Sequence, residues 1–208
     1  MKKISLLIIA ILFTTCLTFA QDNRNALAFG PKVGLNLANV YDSEGEQFDA
    51  GPKFGFVAGA FLSIPIGTYL GIQPEILYSQ KGFKASGSVL GSEYTFTRTL
   101  NYLDIPLLIT VKPTPMLTIV AGPQYSYLLS RKEVFTNSLI TTQQQDEFEN
   151  DNIRKNTLCF IGGFDVNVSR LVVGARVGWD LFQNVGDGTS VTPRYKNVWY
   201  QVTLGVRI

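Results

Sequence analysis

Apolar and polar residues alternate with a period of two along most of the chain, most clearly at the C-terminal end. Tyr200, Val202, Leu204, Val206 and Ile208 are apolar, whereas the residues between them are polar or small. Successive side chains of a β-strand point to opposite faces of the sheet. The alternation therefore predicts a strand with one apolar face and one polar face.

The same alternation predicts seven more strands, and their apolar faces contain no charged residue. These faces take every second residue of Phe29 to Leu37, Phe54 to Ile64, Leu70 to Tyr78, Leu103 to Val111, Leu117 to Leu129, Leu158 to Val168 and Leu171 to Leu181. The opposite face carries the charges Lys32, Lys53, Glu75, Asp104, Asp165, Arg176, Asp180 and Arg207. Charge is thus confined to one face of all eight strands.

Short and long connections follow one another in turn along the chain. The short ones are 65–68, 112–115 and 169–170, and the long ones are about 41–50, 83–92, 131–156 and 183–194. Outer-membrane barrels have short periplasmic turns and longer extracellular loops, with an apolar band facing lipid. The pattern predicts an all-β fold, an eight-stranded antiparallel up-and-down transmembrane β-barrel in the cell outer membrane, with outer-membrane lipid around it.

Aromatic residues on the apolar face give a second indication of a membrane. Five of them fall at the long-loop ends of their strands: Tyr78, Tyr125, Tyr127, Trp179 and Tyr200. Tyr and Trp favour the membrane interface, where the ring meets lipid and the polar tip meets water. We expect these residues to form one half of an aromatic girdle.

A soluble, lipocalin-like secreted barrel or a β-sandwich is the alternative fold. In that arrangement the apolar face would point inward and the charged face would meet water. Charged residues make up only 16% of the chain, below the roughly 25% of a typical soluble domain. The eight strand charges are too few to solvate such an outer surface, so the membrane barrel is favoured.

The first twenty residues differ from the rest of the chain and predict a cleaved signal peptide. Lys2 and Lys3 precede the apolar run 6–13, and Ala20 ends a stretch with small residues at the expected cleavage positions. This order is typical of a secretory signal, here residues 1–20, which leaves 21–208 as the barrel domain. A lipoprotein anchored at Cys16 is the alternative, although Thr15 is a poor fit to the small residue required before such a cysteine.

The composition excludes several kinds of chemistry. Histidine is absent, which removes Ser-His and Cys-His mechanisms and His-ligated metals. Cys159 is the only cysteine after residue 20, so the barrel domain has no internal disulfide. Without Lys2 and Lys3 the 18 basic residues become 16, equal to the 16 acidic ones, and this balance argues against nucleic acid as a partner. We expect no cofactor.

The inward face of an eight-stranded barrel is expected to be packed rather than open, because its interior is just filled by side chains. Glycines alternate there with bulky Val57, Phe61, Leu77, Leu108, Leu128 and Phe182. Buried charges must be paired, so we predict interior salt bridges between the four inward cations and the four inward carboxylates. A proton or ion path is the alternative role of these charges. Glu75 and Asp104 on neighbouring strands suggest acid–base catalysis only weakly.

Two further features bear on the strands and the loops. Pro31, Pro74, Pro106 and Pro123 lie inside predicted strands, where each removes a hydrogen bond, so we expect bulges or strand ends there. Acidic residues cluster at 42–49 and 146–151 in long loops. A solvated surface is favoured over a Ca²⁺ site, since the spacing of an EF-hand is missing. These extracellular loops are where a protein partner would bind.

Two longer motifs and two short ones resemble a known family. They are Gln73 to Gly82, Tyr102 to Ile109, Gly122-Pro123 and Leu204 to Ile208. The chain from about Ala28 to Ile208 resembles the outer-membrane β-barrel family that includes PorT-like proteins, which is widespread in Bacteroidota. The resemblance implies the fold and the location, and PorT-like members are linked to protein secretion across the outer membrane. The final Ile208 departs from the Phe that ends many outer-membrane proteins.

From these observations we expect a non-enzymatic barrel with a structural or interaction role, of which an accessory role in transport or secretion is one form. A narrow porin-like channel for ions or small solutes is the second hypothesis. An outer-membrane enzyme is the third, and the lack of histidine makes it the weakest.

Overall fold

The computed structural model describes residues 24–41, 50–89, 92–137, 141–146, 154–184 and 195–208. Nine strands lie in these ranges: β1 (Ala28–Tyr41), β2 (Ala50–Pro65), β3 (Leu70–Val89), β4 (Ser92–Val111), β5 (Leu117–Asn137), β6 (Thr141–Asp146), β7 (Asn156–Val168), β8 (Leu171–Asp180) and β9 (Lys196–Val206). The predicted signal peptide, Cys16 and the acidic residues at 42–49 lie outside the described residues, as do those at 147–151.

Eight of the strands form a closed antiparallel barrel. The sheet runs in the order β4-β3-β2-β1-β9-β8-β7-β5, and a further pairing of β4 with β5 joins its two ends. Strand β6 pairs with β5 beyond the barrel wall, opposite residues 131–136. Closure removes the free edges that an open sheet would present. The predicted eight-stranded antiparallel barrel is therefore confirmed.

The two faces of the barrel wall have inverted burial. On β1, Lys32 is 1% exposed while the next residue, Val33, is 55% exposed; on β9, Gln201 is 1% exposed and Tyr200 is 61% exposed. A soluble domain buries its apolar side chains and exposes its charges. Here the charges line the lumen, and a continuous apolar surface faces outward to be covered by lipid.

The outward apolar band has the length that a bilayer requires. On β3 it runs from Leu70 to Tyr78, and on β4 from Leu103 to Val111. A membrane-spanning β-strand needs about 9–11 tilted residues, and both segments meet that length. Above the band, outward side chains become polar: Gln80 donates a hydrogen bond to Asn101 (3.1 Å), which donates one to Ser130 (2.9 Å). These three residues mark the upper end of the apolar surface.

No helix among the described residues is long and apolar enough to cross a membrane.

Strands β3, β4 and β5 continue well past this boundary. The predicted loop at 83–92 is wrong, because β3 and β4 pair without interruption up to Val89 opposite Ser92. The predicted loop at 131–156 is partly wrong, since β5 extends to Asn137 and β6 folds back along it. The ten residues of β3 from Gln80 to Val89 correspond to roughly 33 Å of strand. We call this four-stranded part, β3 to β6 above Gln80, the projecting sheet.

None of the four prolines in question lies at a register shift, so the prediction of bulges is wrong for Pro31, Pro74, Pro106 and Pro123. The pairing of β2 with β3 keeps the same register on both sides of Pro74, from Phe61 opposite Glu75 to Ile64 opposite Ile72, and only the pairs between them are missing. Pro74 itself remains paired with Leu107 on the other side. Register shifts occur elsewhere, between Pro52 and Val57 and between Asn101 and Tyr102. The barrel thus absorbs a proline by losing pairs with one neighbouring strand.

Candidate functional site

The lumen contains two clusters of buried charged residues. The lower cluster, nearer the short turns, consists of Lys32, Gln73, Glu75, Asp165 and Arg176. The guanidinium of Arg176 donates two parallel hydrogen bonds to the Glu75 carboxylate, at 2.8 and 2.9 Å. Its Nη2 also lies 3.1 Å from Asp165, and the Lys32 ammonium lies 2.7 Å from Glu75.

The lower cluster joins opposite sides of the barrel through charges that balance. Lys32 comes from β1, Glu75 from β3, Asp165 from β7 and Arg176 from β8. Gln73 adds hydrogen bonds to both carboxylates, at 2.8 Å to Glu75 and 3.4 Å to Asp165. Two cations and two carboxylates compensate one another, as charges removed from water must be. The cluster occupies the lumen at this level.

The upper cluster is built around Lys81, Asp104 and Asp180. The Lys81 ammonium lies 3.0 Å from Asp104, and the Ser126 hydroxyl donates a 2.6 Å hydrogen bond to the same carboxylate. Asp180 accepts hydrogen bonds from the Cys159 thiol at 3.1 Å and from the backbone N–H of Asn197 at 3.1 Å. This cluster has two carboxylates and a single cation among its members.

Aromatic rings complete the surroundings of Lys81. Its ammonium lies 3.7 Å from the centre of the Trp199 ring and 4.9 Å from that of Tyr102. A desolvated ammonium over an aromatic face is attracted by the ring quadrupole. Gly178 makes room for the Trp199 indole, because a Cβ at this position would lie 2.3 Å from the ring. The upper cation is thus held by one carboxylate and by ring faces.

Apolar side chains fill lumen space beside the two clusters. Leu108, Val120, Ile161, Trp199, Ala38 and Cys159 are buried in a single apolar group. Together with the ion pairs they pack the inside of the barrel, as is typical for eight strands. In the described part of the chain the lumen is a packed core at the level of these residues.

The structure brings together only some of the charges that the sequence places inside. Lys32, Glu75, Asp165 and Arg176 meet in the lower cluster, whereas Asp104 and Asp180 lie in the upper one. Glu75 and Asp104 therefore bind different cations and do not form a carboxylate pair. Lys81 was not among the predicted inward charges, although it has the same parity on β3 as Glu75, Leu77 and Ser79. Extending the alternation by one step beyond Ser79 would have found it.

Two of the predicted inward charges, Lys53 and Arg207, and the bulky residue Phe182 lie outside both clusters. Lys53 is half-buried and donates to its neighbouring Phe54 carbonyl at 3.3 Å, beside the β2–β3 register shift between Pro52 and Val57. Arg207 follows the end of β9 and donates a 2.6 Å hydrogen bond to the Asn167 side chain. Phe182 lies beyond β8, 53% exposed, so its assignment to the lumen is wrong.

Above the upper cluster, aromatic residues and an ion pair occupy the extracellular end of the barrel. The Phe83 ring packs edge-on against Tyr195 (5.5 Å between centroids) and against Phe96 (6.1 Å). Arg98 donates a 2.8 Å hydrogen bond to the Tyr195 hydroxyl and lies 2.7 Å from Glu133. The contacts to Tyr195 anchor the base of the projecting sheet to the residue that directly precedes β9.

The five aromatic residues predicted to form a girdle all have outward parity in the barrel wall. Tyr125, Tyr127 and Tyr200 are exposed, and Tyr78 and Trp179 are partly covered. Tyr78 stacks on Phe56 at 5.3 Å, and Trp179 packs against Phe160 at 5.3 Å. Their role as a girdle at the lipid–water interface stays a prediction.

A closed barrel with an apolar outside and a charged, packed inside defines an integral β-barrel protein of the outer membrane. Residues 19–185 match the model of the family described as outer membrane protein beta-barrel domain. The chain belongs to this family.

Solved structures give similar but distant matches. Ail, the attachment invasion locus protein of Yersinia pestis, is 11% identical, with 87% of this chain and 98% of that chain covered and a TM-score of 0.45. Neisserial surface protein A is 10% identical, with 86% and 97% covered and a TM-score of 0.47. OprG of Pseudomonas aeruginosa is 11% identical, with 88% and 94% covered and a TM-score of 0.41. No curated protein matches the chain.

Proposed function

We propose that this outer-membrane barrel is a non-enzymatic interaction protein, in which a closed base holds the projecting sheet outside the cell for a protein partner. The observation that carries the proposal is the continuation of β3, β4 and β5 beyond the apolar band. These strands have 20, 20 and 21 residues, about twice the length that a bilayer needs. The excess length serves no purpose in spanning lipid.

The projecting sheet offers two features that suit recognition. Exposed side chains such as Lys84 and Thr95 lie on it, and binding sites are commonly carried by segments that a rigid scaffold positions. Strand β6 pairs with β5 on one side and with no other described strand. The backbone groups of such an edge can bind a strand from a partner. Both features favour a protein partner over a small solute.

The packed lumen argues against the alternative function, a narrow channel. An ion passing through would have to displace the Arg176–Glu75 pair and the apolar group around Leu108 and Ile161. Buried, hydrogen-bonded ion pairs are costly to separate. The resemblance to PorT-like proteins supports a finer proposal, in which the partner belongs to an assembly for transport or secretion.

Site-specific photo-crosslinking in intact cells tests the proposal. A photoreactive residue replaces Lys84 or Thr95 on the projecting sheet, and matched controls carry it at Thr114 in a short turn or at lipid-facing Leu107. We expect discrete protein adducts from the two sheet positions and none from the controls. Adducts confined to Thr114 would move the interaction to the periplasmic rim, and the absence of adducts at both sheet positions would contradict the proposal.

A further inference from the structure

A cavity of about 370 Å³ opens at the short-turn end of the barrel, below the lower cluster. Its walls come from two short turns, 112–115 and 169–170, from nearby ends of barrel strands, and from the segment that precedes β1. Four of the lining side chains are cationic, those of Arg24, Lys112, Arg170 and Arg207, and none of the lining residues is Asp or Glu.

Two cations of this cavity, Lys112 and Arg207, donate hydrogen bonds to neutral acceptors. Lys112 is 4% exposed and donates a 3.0 Å hydrogen bond to the Arg24 carbonyl. Arg207 uses Nη2 on Asn167, while its Nε is buried without a hydrogen-bond partner in the described part of the chain. Within the described residues, no Asp or Glu side chain lies in ion-pairing distance of Lys112, Arg170 or Arg207.

Among the described residues, Lys112 and Arg207 thus have no carboxylate in direct contact, although both side chains are at least partly buried. Lys112 follows the end of β4 and Arg207 follows the end of β9, so both lie outside the membrane-spanning segments. Burial and the nearby Arg207 charge lower the pKa of Lys112. Burial likewise lowers the pKa of Arg207. An anion bound between the two side chains would relieve the cost of desolvating two like charges.

Backbone contacts hold the cationic groups in place. The Arg207 N–H donates to the Arg170 carbonyl at 2.7 Å, and the Lys112 N–H donates to the Tyr69 carbonyl at 2.8 Å. The Asn167 side chain, which accepts from Arg207, in turn donates to the Thr118 hydroxyl at 2.9 Å. The donors are therefore fixed before any ligand arrives, which reduces the ordering cost of binding.

We propose that the cavity binds a phosphate ester, with the phosphate held by Arg207 and Lys112. A phosphate accepts hydrogen bonds from several donors at once, and the guanidinium fork matches its oxygen geometry. The volume exceeds what a phosphate alone needs, and apolar Ala26, Leu27 and Pro115 line the remaining space for an organic part. The phosphate could come from a soluble ester or from a lipid headgroup of the adjoining leaflet.

Calorimetric titration of the protein in maltoside detergent with glycerol 3-phosphate tests the site. We expect saturable binding at one site, weakened at least ten-fold in Arg207→Gln and in Lys112→Gln. Lys84→Gln, which removes a lysine at the opposite end, should bind as the unchanged chain does. Glycerol, which lacks the phosphate, should not bind. A heat-dependent gel shift shows that each variant is folded before it is titrated.

A second titration, in vesicles of phosphatidylglycerol, distinguishes the two sources of phosphate. If soluble esters are the ligand, glycerol 3-phosphate still binds; if a headgroup fills the site, binding seen in detergent is lost in these vesicles. The proposal is overturned if folded protein in detergent shows no saturable binding at millimolar ester, or if the two cavity variants bind as tightly as Lys84→Gln. This site lies at the opposite end from the projecting sheet, so its failure leaves the crosslinking result untouched.

Discussion

The lower and upper clusters lie in the same lumen but stabilise their charges in different ways. In the lower cluster two cations and two carboxylates form a closed set, and Arg176 binds both carboxylates. In the upper cluster a single ammonium binds Asp104 and lies over Trp199, while Asp180 is held by neutral donors. The comparison shows two ways in which a narrow barrel stabilises buried charges. Cations and carboxylates can pair with one another, or aromatic rings and neutral hydrogen-bond donors can stabilise them.

The comparison predicts the largest effect for Arg176→Met. The substitution leaves Asp165 without its cation and Glu75 with Lys32 alone. Removing one partner of a buried ion pair typically costs about 3–5 kcal/mol, so the free energy of unfolding should fall by this amount. Urea-driven unfolding in phospholipid vesicles measures it. Arg170→Met, at an exposed turn position, is the matched control, and equal effects of the two variants would contradict the assigned role of the lower cluster.

A smaller loss is expected for Lys81→Met. Lys81 also pairs with a buried carboxylate, so its loss falls in the same range of about 3–5 kcal/mol. We expect the lower end of that range, because the flexible Met side chain can still pack on Trp199 and Tyr102. Asp104 also retains the hydroxyl of Ser126. The same unfolding experiment should therefore rank this variant below Arg176→Met. The reverse order would show that the upper cluster, not the lower one, stabilises the lumen.

Gly178→Ala tests the aromatic half of the upper cluster without changing a charge. The added Cβ would lie 2.3 Å from the Trp199 ring, so the indole must move away from Lys81. Overpacking of this kind costs about 1–3 kcal/mol. The Trp fluorescence of folded protein should shift together with the stability, and Gly162→Ala, where a Cβ meets nothing closer than 3.8 Å, is the control. If neither the fluorescence spectrum nor the stability changes, Trp199 does not stabilise the Lys81 ammonium.

The smallest effect is predicted for Arg98→Gln at the base of the projecting sheet. The side chains of Arg98 and Glu133 are each 18% exposed, whereas those of the Arg176–Glu75 pair are fully buried. Solvent therefore screens the Arg98–Glu133 pair more strongly, and its loss should cost less. Global stability should change little, whereas hydrogen exchange in the segments 83–98 and 131–137 should become faster. A loss as large as that of Arg176→Met would mean that the projecting sheet and the barrel unfold as one unit.

The sequence is informative wherever lipid and lumen impose different requirements on the two faces of a strand. The lipid-facing register of β9 and the inward position of Arg176 follow from alternation alone. Above the apolar band the outward side chains no longer face lipid and become polar, as Gln80 and Asn101 show. Apolar residues remain on the other side, where Phe83 packs on Tyr195, but the clear apolar–polar alternation is lost. The projecting sheet was therefore mistaken for loops. Alternation assigns Lys53 to the lumen but does not reveal that it lies beside the register shift between Pro52 and Val57.

Partner choice within the lumen could not be predicted from alternation. Alternation shows whether a side chain faces the lumen or the lipid, but not at which level along the barrel axis it lies. Because the strands are tilted, residues at different positions along their own strands can lie at the same level. Arg176 therefore meets Glu75, which lies 101 positions away in the sequence. The cationic cavity could not be predicted either, because Lys112, Asn167 and Arg207 are far apart in the sequence. They come together only when the barrel closes.

The measurement that tests the central claim most directly is the conductance of the purified protein in a planar lipid bilayer. The heat-dependent gel shift of the same preparation establishes that the barrel is folded. Ion pairs and apolar side chains that pack the lumen predict a flat baseline with no discrete openings at high potassium chloride. Steady, reproducible openings of the folded protein, lost after heat denaturation, would contradict a closed base and favour the narrow channel instead.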